Sequence, residues 1–337
     1  MNRIDQTFAD LGSAGRKALV IYLTAGDPET QKLLLQFMGA ALSNIKGSRY
    51  KKALFMVGEG DTGKSQLKIL TEKLLGHDNY AGIDLQELEA RFGSSAIYGK
   101  RLAGSADMSY VTVKELKTFK LCTGGDSIFI EFKGKNAFSF IYGGLIWFCM
   151  NRLPRFGGDD GKWVFDRIMV VRCENIIPLE KQDKKLVDKM YAERDGIIYK
   201  AVMAVRETIE NGHRFSEPDK VIEARNEYRT ENNSVLAFIN ECMEKREFPG
   251  VIPSNDKSNI KTVFLVYRRW CGDNNNGFAK TFKEFKECYA GFTGVEVKNI
   301  SKRTGNGMSL LEYKLTDEAI SDYTNDYDFY GNIRVLE

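Results

Sequence analysis

The segment Gly58-Glu59-Gly60-Asp61-Thr62-Gly63-Lys64-Ser65 constrains this chain more than any other stretch of its 337 residues. It fits the pattern G-x-x-x-x-G-K-[ST], and the physics of that spacing is specific. Glycines let the backbone turn tightly, so that its N–H groups point inward at phosphate oxygens. A helix starting there adds the positive end of its dipole. Lys64 then reaches the terminal phosphates, and the Ser65 hydroxyl ligates Mg²⁺. The flanks agree with this reading. Ala53-Leu54-Phe55-Met56-Val57 is an apolar run of strand length, and Leu67, Leu70 and Leu74 recur at helical spacing. Strand, glycine-rich loop and helix in that order predict a phosphate-binding loop, with Gly58 to Ser65 as its contacts.

Composition narrows the class. Hydrophobic residues at 43% and charged residues at 28% suit a globular chain long enough for two domains. A net charge of +3 decides nothing about nucleic acid, so the distribution of charge must. The six cysteines are widely spaced without a C-x-x-C pair, and with only two histidines they predict reduced thiols in a cytoplasmic protein rather than a zinc site. No stretch offers the ~20 consecutive apolar residues of a membrane span.

The chain divides by pattern. At the start, Met1-Asn2-Arg3-Ile4-Asp5, Gly15-Arg16-Lys17-Ala18-Leu19-Val20 and Tyr22-Leu23-Thr24-Ala25-Gly26-Asp27-Pro28 resemble the opening of the tryptophan synthase α subunit. That resemblance stops before the family's catalytic carboxylates, and one barrel strand cannot bury both its faces. Residues 1–28 therefore read as a fused leader without indole chemistry. Residues 29–178 alternate helical and strand patterns, as an α/β domain does. The runs at 138–142, 145–150 and 168–171 are near-continuously apolar, which predicts central strands covered on both faces. Residues 179–233 read as a charged helical connector. Over 234–316, three helical patterns (around Leu236, Val263 and Phe285) precede extended pieces at 295–297 and 310–315. The Asn306-Gly307 pair between those pieces signals a hairpin. The expectation is a winged helix-turn-helix, followed by an acidic, flexible tail at 317–337.

A phosphate loop alone leaves kinases, GTPases and motor ATPases open. Four later landmarks narrow the field. Gly99-Lys100-Arg101-Leu102-Ala103-Gly104-Ser105-Ala106-Asp107 forms a strand pattern ending in an acid, and Lys120-Leu121-Cys122-Thr123-Gly124-Gly125-Asp126 follows it. Cys149-Met150-Asn151-Arg152-Leu153-Pro154 then ends a strand in a polar residue, and Asp166-Arg167-Ile168-Met169-Val170-Val171 closes the section. In this order they resemble a superfamily-3 helicase of the phage and plasmid primase-helicase family, over about 30–178. The resemblance implies a P-loop NTPase domain of AAA+-like α/β class, ATP and Mg²⁺ as cofactors, and a homo-hexameric ring on single-stranded and origin DNA with 3′→5′ travel. It also implies a separate primase and other replication proteins as partners. It assigns Asp107 to Mg²⁺ or the attacking water, Asn151 to sensing the γ-phosphate, and Arg167 to a finger reaching a neighbouring subunit's site. Arg152, Arg155 and Arg172 compete for that last role. One departure stands out: the usual acidic strand carries paired carboxylates, here there is one, and Asp84, Glu87 and Glu115 are open as the second.

Two basic features point to DNA. Glu131-Phe132-Lys133-Gly134-Lys135-Asn136 reads as a hairpin tip whose Lys133 and Lys135 track phosphates. From Lys257 to Arg303 there are ten Lys/Arg against four acids. Lys280, Lys283 and Lys286 fall every third residue on the expected third helix, and Lys302 and Arg303 on the wing, as a groove-lying helix and a phosphate-touching wing require. The reading is an ATP-dependent DNA helicase of a phage or mobile element. Its rivals are an ATP-switched initiator or loader without processive unwinding, a small-molecule P-loop kinase, and a tryptophan-synthase-like lyase.

Overall fold

A computed structural model describes residues 26–113, 115–132, 136–156, 162–254, 256–273, 279–305 and 307–324. The leader read at 1–28 thus lies almost wholly outside the described residues. The chain forms two compact units that divide between Tyr228 and Arg229. Among the described residues no helix is long and apolar enough to cross a membrane.

The first unit runs in chain order α1 (Pro28–Leu42), β1 (Ala53–Val57), α2 (Lys64–Leu75), β2 (Tyr80–Gly82), β3 (Leu102–Gly104), β4 (Thr112–Val113) and α3 (Lys117–Gly124). It continues with β5 (Ser127–Ile130), β6 (Phe138–Ile141), β7 (Leu145–Met150), β8 (Arg155–Phe156), β9 (Ile168–Arg172), α4 (Arg194–Glu210) and α5 (Asp219–Asn232). Five strands make a parallel sheet in the order β2-β3-β7-β1-β9. The α/β expectation holds at that level.

Alternation along β1 explains why the sheet is covered on both sides. Leu54 and Met56 enter one apolar cluster with Leu33, Phe37 and Trp147. Ala53 and Phe55 enter the other with Phe119, Phe148 and Val170. Successive strand side chains point to opposite faces, so a run with no polar residue is what a doubly covered strand needs. Pro28 at the first turn and Asp27, whose carboxylate accepts from the Glu29 amide at 3.2 Å, start α1. That helix lies so close to α4 that a Cβ on Gly39 would meet the Ala201 carbonyl oxygen at 2.1 Å.

One apolar run departs from expectation. Residues 138–142 do not join the central sheet. Phe138–Ile141 pairs antiparallel with β5, Ile128 opposite Phe140 and Ile130 opposite Phe138. Ile128 and Ile130 are buried while Phe129 is 62% and Ile141 55% exposed, so the hairpin seals one face only. An apolar run records burial without recording which sheet supplies it.

The second unit contains α6 (Ser234–Cys242), β10 (Met243–Lys245), α7 (Ile260–Asp273), α8 (Phe282–Thr293), β11 (Ser301–Thr304), β12 (Gly307–Leu310), β13 (Tyr313–Leu315) and α9 (Asp317–Thr324). Its core is aromatic: Phe238, Tyr267, Trp270, Phe285 and Tyr289 are buried together. The Trp270 indole N–H donates to Glu241 at 3.0 Å. Thr281 and Glu284 form a capping box that starts α8 at Phe282. The hairpin expected around Asn306-Gly307 is present as β11 and β12, with Asn306 itself outside the described residues.

Three readings change here. The piece at 295–297 is not a strand, since Val297 opens a 3-10 turn to Asn299. The run at 310–315 splits between the end of β12 and β13, which pairs with β10. Residues 317–324 of the expected flexible tail form α9, which places Ala319 in the core.

The α1–α4 crossing sets a sign that helix propensity alone reverses. Gly→Ala inside a helix ordinarily stabilises by about 0.8 kcal/mol. At Gly39 the added methyl strikes backbone, so Gly39→Ala is expected to destabilise by about 1–3 kcal/mol. A denaturant midpoint that rises would sink this account of the crossing.

Candidate functional site

β1 ends level with its neighbours, Val57 beside Met150 of β7 and beside Arg172 of β9. The Gly58 amide donates to the Met150 carbonyl at 3.2 Å, and the Cys173 amide to that of Val57 at 2.7 Å. The loop therefore leaves the sheet pinned on both sides. Gly58 has no room for a side chain, because a Cβ would lie 2.0 Å from the Cys173 carbonyl oxygen. Asp61 at φ 58 and Gly63 at φ 83 turn the chain left-handed, and the Ile177 amide holds the Asp61 carbonyl at 2.8 Å.

Gly63 then starts α2 without a side-chain cap. The first N–H groups of any helix lack intrahelical acceptors, so an uncapped start is a ready site for an anion. Lys64, only 4% exposed, donates to the Glu59 carbonyl at 2.7 Å and to Asn151 Oδ1 at 2.9 Å. Asn151 is the residue after β7, which is why it arrives level with the loop.

The acid-bearing segment reaches the same place from β3. The Ser65 hydroxyl donates to the Ala106 carbonyl at 2.6 Å. The Cys149 amide donates to Ser105 at 2.9 Å, and the Met108 amide to Cys149 at 2.8 Å. Asp107 stands exposed between those anchors, its own amide 3.3 Å from Ser105 Oγ. The small residues of this strand, Ala103 and Gly104, have a physical reason at Gly104. At φ 136 it lies flat on β7, where a Cβ would meet the Trp147 carbonyl oxygen at 1.9 Å.

Lys64, Ser65, Asn151 and the Asp107 turn thus converge, whereas Arg167 does not join them. It precedes β9 at the opposite end of the sheet, roughly 15–20 Å from Gly58 at ~3.3 Å per residue. Its Nη1 donates to the Lys120 carbonyl at 2.8 Å and to Thr123 Oγ1 at 2.9 Å. Arg172 does sit at the loop's end of β9 but pairs with Glu227 at 2.6 Å, and Arg152 covers the Tyr110 ring at 4.3 Å. Arg155 lies in β8, opposite Thr112 of β4 and outside the central sheet.

Of the candidates for a second carboxylate, Asp84 and Glu87 form the capping box of the helix Leu85–Glu89. Glu115 is exposed between β4 and α3. Glu89 was not anticipated. It is half-buried, accepts the Thr118 and Phe119 amides at 2.8 Å each, and so caps α3, while desolvation raises its carboxyl above the ordinary value. Among the described residues no group of three or more His, Cys, Asp or Glu could hold a metal. The Ser65 hydroxyl holds the carbonyl that precedes the exposed Asp107, a sparse set of oxygens of the kind Mg²⁺ takes when phosphate oxygens and water complete its shell. The thiols below the loop are inert: burial pushes Cys149 and Cys173 each up to about 12.

Two side chains escaped the sequence reading altogether. Lys68 and Glu72 pair beneath α2. The signal was present, since Lys68 falls four residues after Lys64 on the same buried face as Leu67 and Thr71.

The nucleic-acid candidates stand as follows. Lys133 and Lys135 lie outside the described residues, between β5 and β6. Lys280 precedes α8 rather than lying on it, because the cap at Thr281 places the helix start later. Lys283 is exposed, and Lys286 Nζ lies 4.9 Å from the centre of the Phe282 ring. Lys302 and Arg303 are exposed on β11.

Residues 56–167 match a family model described as a family of unknown function (DUF5906). Tryptophan synthase alpha chains of Burkholderia ambifaria and Burkholderia lata are each 55% identical over 40 residues, 12% of this chain and 14% of theirs. The chain therefore spans about a seventh of the length of these curated relatives. Among solved structures, an A-form apo structure of the NrS-1 C-terminal region aligns with 92% of this chain and 78% of that one, at 11% identity and a TM-score of 0.49. A second apo structure of that region gives 0.48 at the same identity and coverage.

The loop geometry separates two glycines that the motif treats alike. Gly58→Ala must displace backbone and is expected to lower stability by about 1–3 kcal/mol. Gly60→Ala meets nothing within 4 Å and should leave the unfolding midpoint unchanged. Equal midpoints for the two variants would contradict the contact between Gly58 and Cys173.

Proposed function

We propose that this chain is an ATP-dependent DNA helicase of a phage or other mobile element. The reading is carried by Lys64, a buried cation held by two neutral oxygens at an uncapped helix start, where three parallel strands end together. Ligands of open parallel sheets bind outside the carboxyl ends of the strands, which is where this loop lies. Phosphoryl transfer asks a protein for positioning and charge stabilisation more than for covalent chemistry. Lys64 exchanges the Glu59 carbonyl for phosphate oxygens and neutralises them, while the loop amides fix their orientation. A bound Mg²⁺ would supply positive charge to offset that of the phosphates. Ser65 and Asp107 are the residues that would hold it. Asn151, already in contact with Lys64, orients the attacking water.

Ring assembly, as a homo-hexamer, belongs to the same proposal. Arg167 is too far from its own Lys64 to serve it and can act only on a neighbour's site. Its guanidinium carries five donors, so the bonds to Lys120 and Thr123 fix its direction without exhausting it. In the second unit, three helices and a hairpin present Lys283, Lys302 and Arg303 to solvent, which supports a winged-helix contact with origin DNA. Lys280 and Lys286 flank that face. Lys133 and Lys135 would grip the single strand, with other replication proteins completing the machinery.

One observation favours a second reading, an ATP-switched initiator or loader. Asp107 follows the carbonyl that Ser65 holds, whereas Asp84 and Glu87, two of the three candidates for a second carboxylate, are spent on a helix cap. Strand displacement coupled to DNA-stimulated turnover separates the two readings.

Lys64→Ala is expected to reduce ATP turnover by about 100-fold or more, while DNA affinity by fluorescence anisotropy stays within about threefold because the second unit is untouched. DNA-stimulated turnover that survives in Lys64→Ala would refute the assignment.

A further inference from the structure

α2 grips the segment that ends at Asp107 in two places, and only one grip belongs to the phosphate motif. Ser65 holds the Ala106 carbonyl at 2.6 Å, and Lys68 holds the Gly104 carbonyl at 3.1 Å, beside the longer bond that this carbonyl accepts from the Ile83 amide at 3.3 Å. Residues three apart on a helix share a flank, and alternate carbonyls of an extended segment point the same way, so the two bonds form one matched clasp. Lys68 is 1% exposed and its charge is met by Glu72 one turn on. Gly104 cannot shift toward β7, where the Trp147 backbone already fills the space of a side chain.

A buried ion pair is a poor device for stability alone, because well-packed apolar residues of similar volume often serve as well or better. An apolar side chain cannot, however, hold a carbonyl. We propose that Lys68 is a positioning residue: with Glu72 neutralising it, its ammonium fixes the Gly104 carbonyl and so sets where the Ser105–Asp107 turn stands against Ser65. Lys64 faces the phosphates from the start of the helix, while Lys68, one turn later, faces the acid's own strand. The inference rests on the nucleotide-hydrolysis reading.

The test uses the full chain carrying Lys68→Met and Glu72→Leu together. Nucleotide affinity without Mg²⁺, measured with a fluorescent ATP analogue, is expected to stay within about twofold, since the loop and Lys64 are unchanged. Turnover should fall about tenfold or more, and the Mg²⁺ concentration for half-maximal turnover should rise severalfold, as for supports of other metal sites. Asp107→Asn alone should shift the Mg²⁺ response of nucleotide binding, and adding the paired replacement should shift it less than about twofold further. A folded paired variant with an unchanged Mg²⁺ response would overturn the inference, and so would a full additional shift on the Asp107→Asn background.

If the paired variant does not fold, Glu72→Gln keeps the contact between Lys68 and Gly104 and should retain the Mg²⁺ response despite a lower melting temperature. Loss of the response there would assign the effect to Glu72 and overturn the role of Lys68. Absence of nucleotide binding by the unsubstituted chain would instead overturn the hydrolysis reading itself, and it is seen before any substitution is made.

Discussion

The register of β1 between β7 and β9 is the constraint on which the rest of the first unit depends. Because Val57 is level with both Met150 and Arg172, three strand ends arrive together. Gly58, Asn151 and Cys173 are each one residue beyond that level, and the close approach of Gly58 to Cys173 and the bond from Lys64 to Asn151 follow from it. A slip of one residue would exchange the faces of Leu54 and Met56 with those of Ala53 and Phe55. The apolar clusters on the two sides are of different shape, one built around Phe37 and Trp147, the other around Phe119 and Phe148. They resist that exchange, and core packing thereby fixes where Lys64 meets Asn151.

Two buried lysines one turn apart on α2 show how the same residue type serves opposite ends. Burying an ammonium costs several kcal/mol even after relaxation. Lys68 offsets this with the Glu72 carboxylate, which leaves no net field to attract an anion. Lys64 donates to a backbone carbonyl and a side-chain amide, both neutral. Dipoles satisfy its hydrogen bonds without cancelling its charge. A phosphate about 4 Å away would gain roughly 4 kcal/mol at an effective dielectric constant near 20. Burial with neutral partners distinguishes a cation prepared for a ligand from one committed to the fold.

How much of this was legible in the sequence depended on whether the signal was local. The turn from Gly58 to Gly63 between a strand and a helix was legible because its backbone course is fixed by adjacent residues, and so were β1, β7 and β9, whose unbroken apolar character follows from cover on both faces. The run at 138–141 looked the same in sequence, yet its burial is one-sided and comes from β5, a partner that composition does not name. Lys280 shared the spacing of Lys283 and Lys286, but the Thr281 cap, a stronger local signal, starts the helix after it. Asp84 and Glu87 read as free carboxylates, although their three-residue spacing before Leu88 is equally that of a capping box. Lys68 was missed because charge on an amphipathic helix is assumed to face water. Its place on the buried face shows when Lys64, Leu67 and Thr71 are plotted together on the helix.

The position of Arg167 joins the fold to the proposed activity most directly. In a parallel sheet the strand that carries a phosphate loop delivers it at one end, and a residue preceding a neighbouring strand necessarily lies at the other. No side chain spans that gap, so Arg167 cannot complete the site built by its own Lys64, however flexible it is. α3 nevertheless spends its mid-helix carbonyl at Lys120 and the Thr123 hydroxyl near its C-terminus on holding this guanidinium. The negative end of a helix dipole suits a cation, and two bonds to one nitrogen restrict its direction. A cation so restrained, yet only partly buried, gains nothing for its own chain's chemistry. On the helicase reading it gains a great deal once a second copy brings a phosphate loop to that edge. The same sheet that separates Arg167 from Lys64 within one chain then makes each copy incomplete without the next.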